Sequence, residues 1–187
     1  PPLAFTFGLG GMLAFPMRVG ASTVLVERLT PETLLETIQH HKATVCFTAP
    51  TMYRAMAGLA KDYDLGSLKK CVSAGEALPD ATRQLFKQAS GLEIIDGIGS
   101  TEMIHIFISH TPERVRRGAT GYAIPGYQAA VLDQDLKPCK PGEVGRLAVK
   151  GPTGCRYLAD DRQRSYVRNG WNLTGDAYLM DEDGYFF

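Results

Sequence analysis

The first half of the chain alternates between short apolar runs and amphipathic stretches. A helical pattern begins where Thr30 stands as N-cap before Pro31 at the first helical position, and Gly91 is well placed to end the last helix. The other predicted helices cover 50–61 and 79–90. The predicted strands are 22–27, 43–49, 69–75 and 92–96. Strands separated by helices of this length predict βαβ units and a parallel sheet.

The second half has a different pattern. After about Arg117, short alternating segments are separated by Pro, Gly and Asp turns, and no helix of more than two turns is indicated. This pattern predicts a small antiparallel barrel or sandwich. We therefore predict an α/β fold with two parts, a parallel-sheet βαβ subdomain at 1–113 and an antiparallel, β-barrel-like subdomain at 118–187.

Composition narrows the class of protein. The 187 residues are 44% hydrophobic and 21% charged, as expected for a globular chain. Twenty Lys and Arg balance twenty Asp and Glu without a block of like charge, so neither nucleic acid nor a membrane surface is expected as a partner. No apolar run approaches the ~20 residues of a membrane span. The four cysteines lack C-x-x-C spacing, which indicates a reducing, cytoplasmic compartment and no zinc site.

The two ends of the chain suggest the hypothesis that this sequence is an internal piece of a longer enzyme. The chain begins with "PPLAF" rather than Met. Asp183-Gly184 predicts a turn into 185–187, which has the character of a strand cut short. Complete proteins avoid an exposed apolar strand end.

A loop of small residues with one acid follows the last predicted strand. In "DGIGSTEM", residues 96–103, Gly97 and Gly99 let the backbone approach a ligand closely, and the next two residues offer hydroxyls. Glu102 is suited to Mg²⁺, which takes one or two protein carboxylates plus substrate phosphates. Open α/β sheets bind ligands at the carboxyl ends of their strands, so the loop is suited to a nucleoside triphosphate. The alternative is a Gly-rich turn with a solvated Glu.

Two further segments have weaker patterns of the same kind. "SAGEALP", residues 73–79, also follows a strand and carries Glu76. Its backbone offers a flat surface to a planar base, although a βα turn with Pro79 opening the helix explains the same residues. "LTGD", residues 173–176, places Asp176 either where it accepts both hydroxyls of a ribose or in a plain turn.

These motifs together resemble a known enzyme family. "SAGEALP", "DGIGSTEM", "GEVGRLAVKGP" and "WNLTGD", in this order and spacing, are similar to the adenylate-forming superfamily of acyl- and aryl-CoA ligases, and the resemblance covers the whole chain. "FTFGLGGMLAFPMRVGA" at 5–21 and "GSTEMIHIFIS" at 99–109 resemble benzoate-CoA and 2-aminobenzoate-CoA ligases. The resemblance implies that ATP and an aromatic carboxylate give an acyl-adenylate, from which the CoA thiol displaces AMP. It also implies a part in aromatic degradation.

The resemblance implies a role for each matching residue. Thr101 and Glu102 would be the catalytic pair, with Thr101 on the α-phosphate and Glu102 on Mg²⁺, while Asp176 would hold the ribose hydroxyls. The adenine site would be lined by Gly75, Glu76 and Ala77. The nucleotide and the aryl group would be bordered by Asp96, Gly97, Ile98 and Gly99.

The aryl pocket follows from the same resemblance. Its candidates are Phe7, Ala74, Ala77, Gly99, Ile104 and His105, an apolar set with one polar side chain. His105 either contacts the acid or is a core histidine bonded to a backbone carbonyl. Benzoate ligases often carry Ala-Tyr where Thr6-Phe7 stand here, and this difference favours 2-aminobenzoate.

The chain also lacks parts of the family pattern. It has no Gly/Ser/Thr-rich phosphate loop with its Lys, and no small C-terminal domain with the catalytic Lys, so we expect residues 1–187 alone to be inactive. "FGLGGML" is no substitute, because it lacks the third Gly of G-x-G-x-x-G and any G-K-[ST]. The alternatives are an adenylation domain that loads a carrier protein and a nucleotide-binding module without catalysis. A luciferase-like oxidation is less favoured.

Overall fold

The computed structural model describes residues 1–187, which form two compact units. The first unit comprises 1–96 and 111–113, and the second comprises 97–110 and 114–187. The division passes through a strand after Asp96, so residues 97–110 group with the later part of the chain, whereas the sequence pattern assigned them to the first subdomain. The predicted boundary between 113 and 118 stays a prediction.

The first unit is a parallel sheet whose strands are joined by helices. Cys46 pairs in register with Cys71, and Cys71 with Ile94. The strands are β1 (Val45–Thr48), β2 (Lys70–Ser73) and the first half of β3 (Ile94–Gly99), in that spatial order. The helices are α1 (Thr6–Leu9), α2 (Phe15–Val19), α3 (Pro31–His41), α4 (Pro50–Ala57) and α5 (Asp80–Ser90). A π-helical turn spans Gly10–Ala14, and a 3-10 turn spans Ala60–Asp62. The predicted βαβ units and parallel sheet are confirmed.

The predicted helix ends are also confirmed. Thr30 forms a capping box, since its hydroxyl accepts a hydrogen bond from the Thr33 N–H (3.2 Å) and the Thr33 hydroxyl accepts one from the Thr30 N–H (2.9 Å). Pro31 follows in the first turn. Helix α5 ends at Gly91, which adopts the left-handed conformation with φ of 75°.

A buried cluster joins the helices of the first unit to its sheet. The hydroxyl of Tyr53 in α4 lies 3.0 Å from the Cys46 carbonyl oxygen and 3.1 Å from that of Val72. Its ring packs edge-on against Phe86, with centroids 4.9 Å apart. Each fully buried side chain of this kind contributes roughly 1.5–3 kcal/mol. This packing helps to fix the end of β2, from which the loop at 74–77 starts.

Two features of the first unit were not predicted from the sequence. Residues 22–27, predicted as a strand, have no regular secondary structure, and Leu25 is 57% exposed. No strand pairs with this segment, and β-branched composition alone does not form a strand without cross-strand neighbours. Residues 6–19 are helical throughout, although the glycines in this segment weaken any helical pattern.

The second unit is antiparallel, as predicted. The last residues of β3 pair with β4 (Ile106–Ser109), which pairs with β5 (Tyr122–Ala123). A four-stranded sheet has the order β6-β7-β9-β8. Its strands are β6 (Gln128–Leu132), β7 (Gly145–Lys150), β8 (Val167–Arg168) and β9 (Trp171–Tyr178). A 3-10 turn spans Pro112–Arg114, and the one-turn helix α6 (Arg162–Tyr166) precedes β8. The predicted fold class is confirmed.

The end of the chain is buried rather than exposed. Phe186 is 2% exposed and forms isolated bridges with Gly121 and Met180. The expectation of an exposed apolar strand end at 185–187 is therefore wrong, because these residues find backbone partners and a core within the second unit. None of the helices has the length and apolar composition that crossing a membrane requires.

Candidate functional site

The loop at 100–104 starts where two glycines bring backbone segments together. A Cβ added to Gly99 would lie 2.5 Å from the His105 carbonyl oxygen, and one added to Gly97 would lie 2.8 Å from the Ile106 side chain. The Met103 N–H then donates to the Ser100 hydroxyl (3.2 Å). The glycines therefore serve close backbone packing, which sets the direction in which the loop leaves β3.

Ile104 holds an unusual conformation at the end of this loop. Its φ is 73°, and its side chain is 54% exposed. A β-branched residue with positive φ is a strained outlier that costs roughly 1–3 kcal/mol, and such strain clusters at functional sites. The backbone is held by the Ile104 N–H, which donates to the Thr101 carbonyl oxygen (3.1 Å).

Glu102 lines a cavity of about 520 Å³ in the second unit. The Tyr157 hydroxyl donates a hydrogen bond of 2.7 Å to its Oε1 atom. Arg146 and Arg162 line the same cavity, and the Arg162 guanidinium is also paired with Asp160 at 2.8 Å. The lining is completed by Ser165, Tyr166, Leu173, Thr174 and Gly175. One carboxylate and two cations around an open cavity suit a ligand that carries phosphate groups.

The environment of Tyr157 is built from a short loop and α6. Its backbone N–H donates to the Gln163 side-chain oxygen (2.7 Å). Its ring meets Tyr166 edge-on at 5.8 Å, and the Arg162 guanidinium lies 4.7 Å from the ring centroid. The hydrogen bond to Glu102, followed by partial desolvation, raises the pKa of Tyr157 to about 12.

A second contact ties the same two segments together. The Thr153 hydroxyl donates to the Met103 carbonyl oxygen (2.8 Å) and lies 2.6 Å from the Tyr127 hydroxyl. Segment 153–157 is thus bonded to two successive residues of the loop, at Met103 and at Glu102. The loop therefore has a fixed support on one side.

Asp176 is presented by a bulge in β9. Leu147 of β7 faces three residues of β9, 174–176, because the register shifts between these strands. Gly175 has φ of 89°, the Asp176 N–H donates to the Thr174 hydroxyl (3.2 Å), and that hydroxyl lies 3.3 Å from the Leu147 carbonyl oxygen. Bulges of this kind re-aim side chains next to binding sites, and the Asp176 carboxylate is exposed.

The candidate adenine loop belongs to the first unit. Ala74 is buried, whereas Gly75, Glu76 and Ala77 are exposed. Gly75 has φ of 91°, and the Glu76 Oε1 atom accepts a hydrogen bond of 3.3 Å from the Thr51 hydroxyl. Asp96 is near this loop along the sheet, since it pairs in register with Ser73.

The remaining candidates are distributed between the two units. Phe7 packs edge-on against Phe47 of β1, with centroids 5.8 Å apart. His105 and Ile98 belong to the second unit and are partly buried there. The structure thus brings Glu102 and the Asp176 bulge to one cavity region, and Ala74 to Ala77 with Asp96 to one sheet edge. Their ligand roles stay predictions.

The sequence analysis missed the side chains that surround Glu102. These are Tyr157, Tyr166, Arg146 and Arg162. The signal that points to them is segment 156–168, where several Arg and Tyr residues interrupt the alternating pattern between two strands. No local motif connects Tyr157 with Glu102, which lies 55 positions earlier.

The oxygen ligands around Glu102 fit a Mg²⁺ ion that is also coordinated by a bound phosphate, but not a Mg²⁺ ion held by the protein alone. No group of three or more His, Cys, Asp or Glu side chains forms a metal cage. Mg²⁺ normally keeps several waters and takes one or two carboxylates plus substrate phosphates. Glu102, with one oxygen bonded to Tyr157 and its carboxylate at the cavity, matches that pattern.

Comparisons with known proteins agree with this chemistry. A family model described as AMP-binding enzyme matches residues 1–157. The benzoate–CoA ligase of Thauera aromatica is 36% identical over 191 residues, and the anthranilate–CoA ligase of Pseudomonas aeruginosa is 35% identical over 188 residues. The crystal structure of the anthranilate CoA ligase AuaEII in complex with anthranoyl-AMP superposes with a TM-score of 0.93 at 41% identity.

These matches cover nearly all of this chain but only part of each relative. They span 98% of the chain in both curated relatives and 99% in the solved structure. The same matches span 36% of each curated relative and 37% of the solved chain. The chain therefore corresponds to about a third of these proteins.

Proposed function

Because this chain belongs to the family of AMP-binding enzymes, we propose that the protein containing it is an aryl-CoA ligase. The protein activates an aromatic carboxylate with ATP to an acyl-adenylate and pyrophosphate, and then transfers the acyl group to the thiol of CoA. The relatives that support this proposal are ligases of benzoate and anthranilate.

The observation that carries the proposal is the Glu102 carboxylate at its cavity. It follows a glycine-bearing strand end, receives a hydrogen bond from Tyr157 at 2.7 Å, and shares the cavity lining with Arg146 and Arg162. Displacement at a phosphoryl group is accelerated mainly by fixed charges and donors aimed at the oxygens on which negative charge develops. Glu102 would hold a Mg²⁺ ion, which neutralises the phosphate oxygens when bound.

The other candidates have complementary roles in this proposal. The Thr101 hydroxyl would donate to the α-phosphate, and the exposed Asp176 carboxylate would accept the ribose hydroxyls. The loop at 74–77 would face the adenine ring. CoA would enter as the second substrate.

We propose 2-aminobenzoate, which is anthranilate, ahead of benzoate as the acid. Thr6-Phe7 depart from the Ala-Tyr pair that benzoate ligases often carry, and the anthranilate CoA ligase AuaEII is 41% identical to this chain. Within the second unit, Ile104 would provide an apolar wall and His105 the polar contact for the acid, and Phe7 stays a candidate on the first unit.

The experiment uses the full-length protein with ATP, Mg²⁺ and either acid. Pyrophosphate release and mass spectrometry of the products are measured with CoA present and absent. Formation of 2-aminobenzoyl-CoA with the higher kcat/KM supports the proposal. Adenylate formation with transfer to a carrier protein but not to CoA contradicts the CoA assignment, and ATP binding without pyrophosphate release contradicts ligase activity altogether.

Residues 1–187 alone serve as a parallel sample. We expect them to form no aryl-CoA, because no Lys in this chain stands in a phosphate-binding motif. Catalytic turnover by this sample would show that residues 1–187 themselves supply the cationic groups.

A further inference from the structure

Within residues 1–187, Glu102 has a single hydrogen-bond partner. That partner is the Tyr157 hydroxyl, at 2.7 Å from Oε1. A glutamate side chain otherwise has several rotamers of similar energy, and each places the carboxylate at a different point of the cavity. The phenol therefore selects one of these placements.

Tyr157 is itself held by contacts within the chain. Its backbone N–H is bonded to Gln163, its ring lies against Tyr166, and Arg162 covers the ring. Four residues earlier, Thr153 is bonded to the Met103 carbonyl oxygen, one position after Glu102. Segment 153–157 is therefore anchored at Thr153 and at Tyr157, and this fixes the position of the Tyr157 hydroxyl at the Glu102 carboxylate.

The geometry leaves the second carboxylate oxygen for a ligand. A tyrosine hydroxyl has one proton, and a carboxylate has two oxygens with about four acceptor positions in all. The bond to Oε1 therefore orients the group without saturating it, and Glu102 still lines the cavity. Metal-ligating carboxylates are commonly held by such hydrogen bonds, and removing the partner typically weakens metal binding 10- to 100-fold.

We propose that Tyr157 is a positioning residue, which holds the Glu102 carboxylate toward the cavity for a divalent cation that enters with the nucleotide. This inference deepens the proposed ligase function and rests on it. Tyr157 acts through Glu102 and forms no bond to the reacting atoms. It makes segment 153–157, which no motif singles out, part of the phosphate site.

The test compares Tyr157→Phe with Tyr122→Phe in the full-length protein. The Phe ring at 157 keeps the packing against Tyr166 and loses only the hydroxyl. Tyr122, in β5, is the matched control, because its ring packs against Tyr185 at 5.5 Å and it does not line the cavity. Mn²⁺ serves as the spectroscopic substitute for Mg²⁺.

Two quantities are measured for each protein. The first is Mn²⁺ binding in the presence of ATP, followed by the electron paramagnetic resonance of free Mn²⁺. The second is the dependence of pyrophosphate release on Mg²⁺ concentration. For Tyr157→Phe we expect Mn²⁺ binding and the Mg²⁺ activation constant to weaken by about 10- to 100-fold, with kcat at saturating Mg²⁺ close to that of the parent. Tyr122→Phe should change neither.

The outcomes separate this inference from the proposed function. If the parent releases pyrophosphate and Tyr157→Phe binds Mn²⁺ as tightly as the parent does, the positioning role is wrong and the ligase function stands. If the parent itself neither binds Mn²⁺ with ATP nor releases pyrophosphate, the proposed function fails. A fall in kcat at all Mg²⁺ concentrations with unchanged Mn²⁺ binding also overturns the positioning role.

A second variant covers the case in which Tyr157→Phe does not fold. Gln163→Leu keeps the tyrosine and removes the acceptor of its backbone N–H. We expect a smaller loss of Mn²⁺ affinity in the same direction, and unchanged affinity in this variant contradicts the proposal.

Discussion

The loops after β2 and after β3 have nearly the same composition but different surroundings. Each follows a buried strand and combines small residues with one acid, Glu76 in the first and Glu102 in the second. Glu76 is exposed and accepts one hydrogen bond of 3.3 Å from a threonine. Glu102 is half-buried and lines a cavity, and its carboxylate accepts a hydrogen bond of 2.7 Å from the Tyr157 hydroxyl.

The difference in burial and hydrogen bonding between Glu76 and Glu102 indicates which carboxylate is better placed for catalysis. An exposed acid with a weak partner is surrounded by water and interacts feebly with a distant charge. An acid that is oriented and partly shielded presents its charge at a fixed point, which is the condition for stabilising a transition state. We therefore propose the phosphate chemistry for the second loop and only backbone contacts for the first.

The largest expected effect comes from exchanging each acid for its amide in the full-length protein. Glu102→Gln should lower pyrophosphate release on the order of 10²–10³, because a neutral amide serves Mg²⁺ poorly. Glu76→Gln is the matched comparison and should lower the rate far less, because only the backbone of its loop would face the adenine ring. Equal losses in the two variants, or a parent-like rate for Glu102→Gln at saturating Mg²⁺, would remove the distinction between the loops.

A second comparison concerns the glycine of each loop. Gly99→Ala should destabilise the protein by about 3 kcal/mol, since its Cβ would lie 2.5 Å from a backbone carbonyl oxygen. Gly75→Ala meets no atom within 4 Å and only strains a φ of 91°, at a cost of roughly 1–2 kcal/mol. Melting temperatures of the two variants give the order, and a larger loss for Gly75→Ala would contradict it.

A third comparison asks which loop contacts the acid. His105→Ala should change the ratio of kcat/KM for 2-aminobenzoate over benzoate by about tenfold, since one lost polar contact or methylene-sized change has this effect. The KM for ATP should stay close to that of the parent. Glu76→Gln should leave the ratio unchanged, and an unchanged ratio in His105→Ala would exclude His105 from the pocket.

The smallest expected effect is the pH dependence of the Tyr157–Glu102 contact. The pKa of Tyr157 is raised from 10 to about 12 in the folded protein, chiefly by its hydrogen bond to Glu102. A raised folded pKa means that the contact is fully stabilising below about pH 10 and that this stabilisation is lost as the pH rises to about 12. The melting temperature of the parent should therefore fall more steeply over this range than that of Tyr157→Phe. Parallel curves would show that the contact contributes nothing.

The parts that were predictable from the sequence are those with local causes. Thr30 and Pro31 start a helix, Gly91 ends one, and the apolar runs at Val45–Thr48 and Lys70–Ser73 form parallel strands. Each depends on residues within a few positions along the chain. The position of Glu102 after β3 was predictable for the same reason.

The parts that were not predictable depend on distant partners. Residues 22–27 have the composition of a strand, but no neighbouring strand supplies the hydrogen bonds. Tyr157 is 55 residues from the carboxylate that it orients, and no spacing rule connects them. The burial of Phe186 likewise follows from its bridges to Gly121 and Met180.

The bulge in β9 also determines how the length of this segment can vary. Leu173 pairs with Ala148 and Ala177 with Arg146, so β9 has two residues more than β7 between the same pairs. Removing one residue would turn over every later side chain of the strand, because faces alternate with a period of two. Removing two would restore a regular ladder with correct facing but without the segment that presents Asp176. In a library of length variants, double deletions at 174–176 should therefore give folded proteins without the proposed ribose contact of Asp176, whereas single deletions should give misfolded ones.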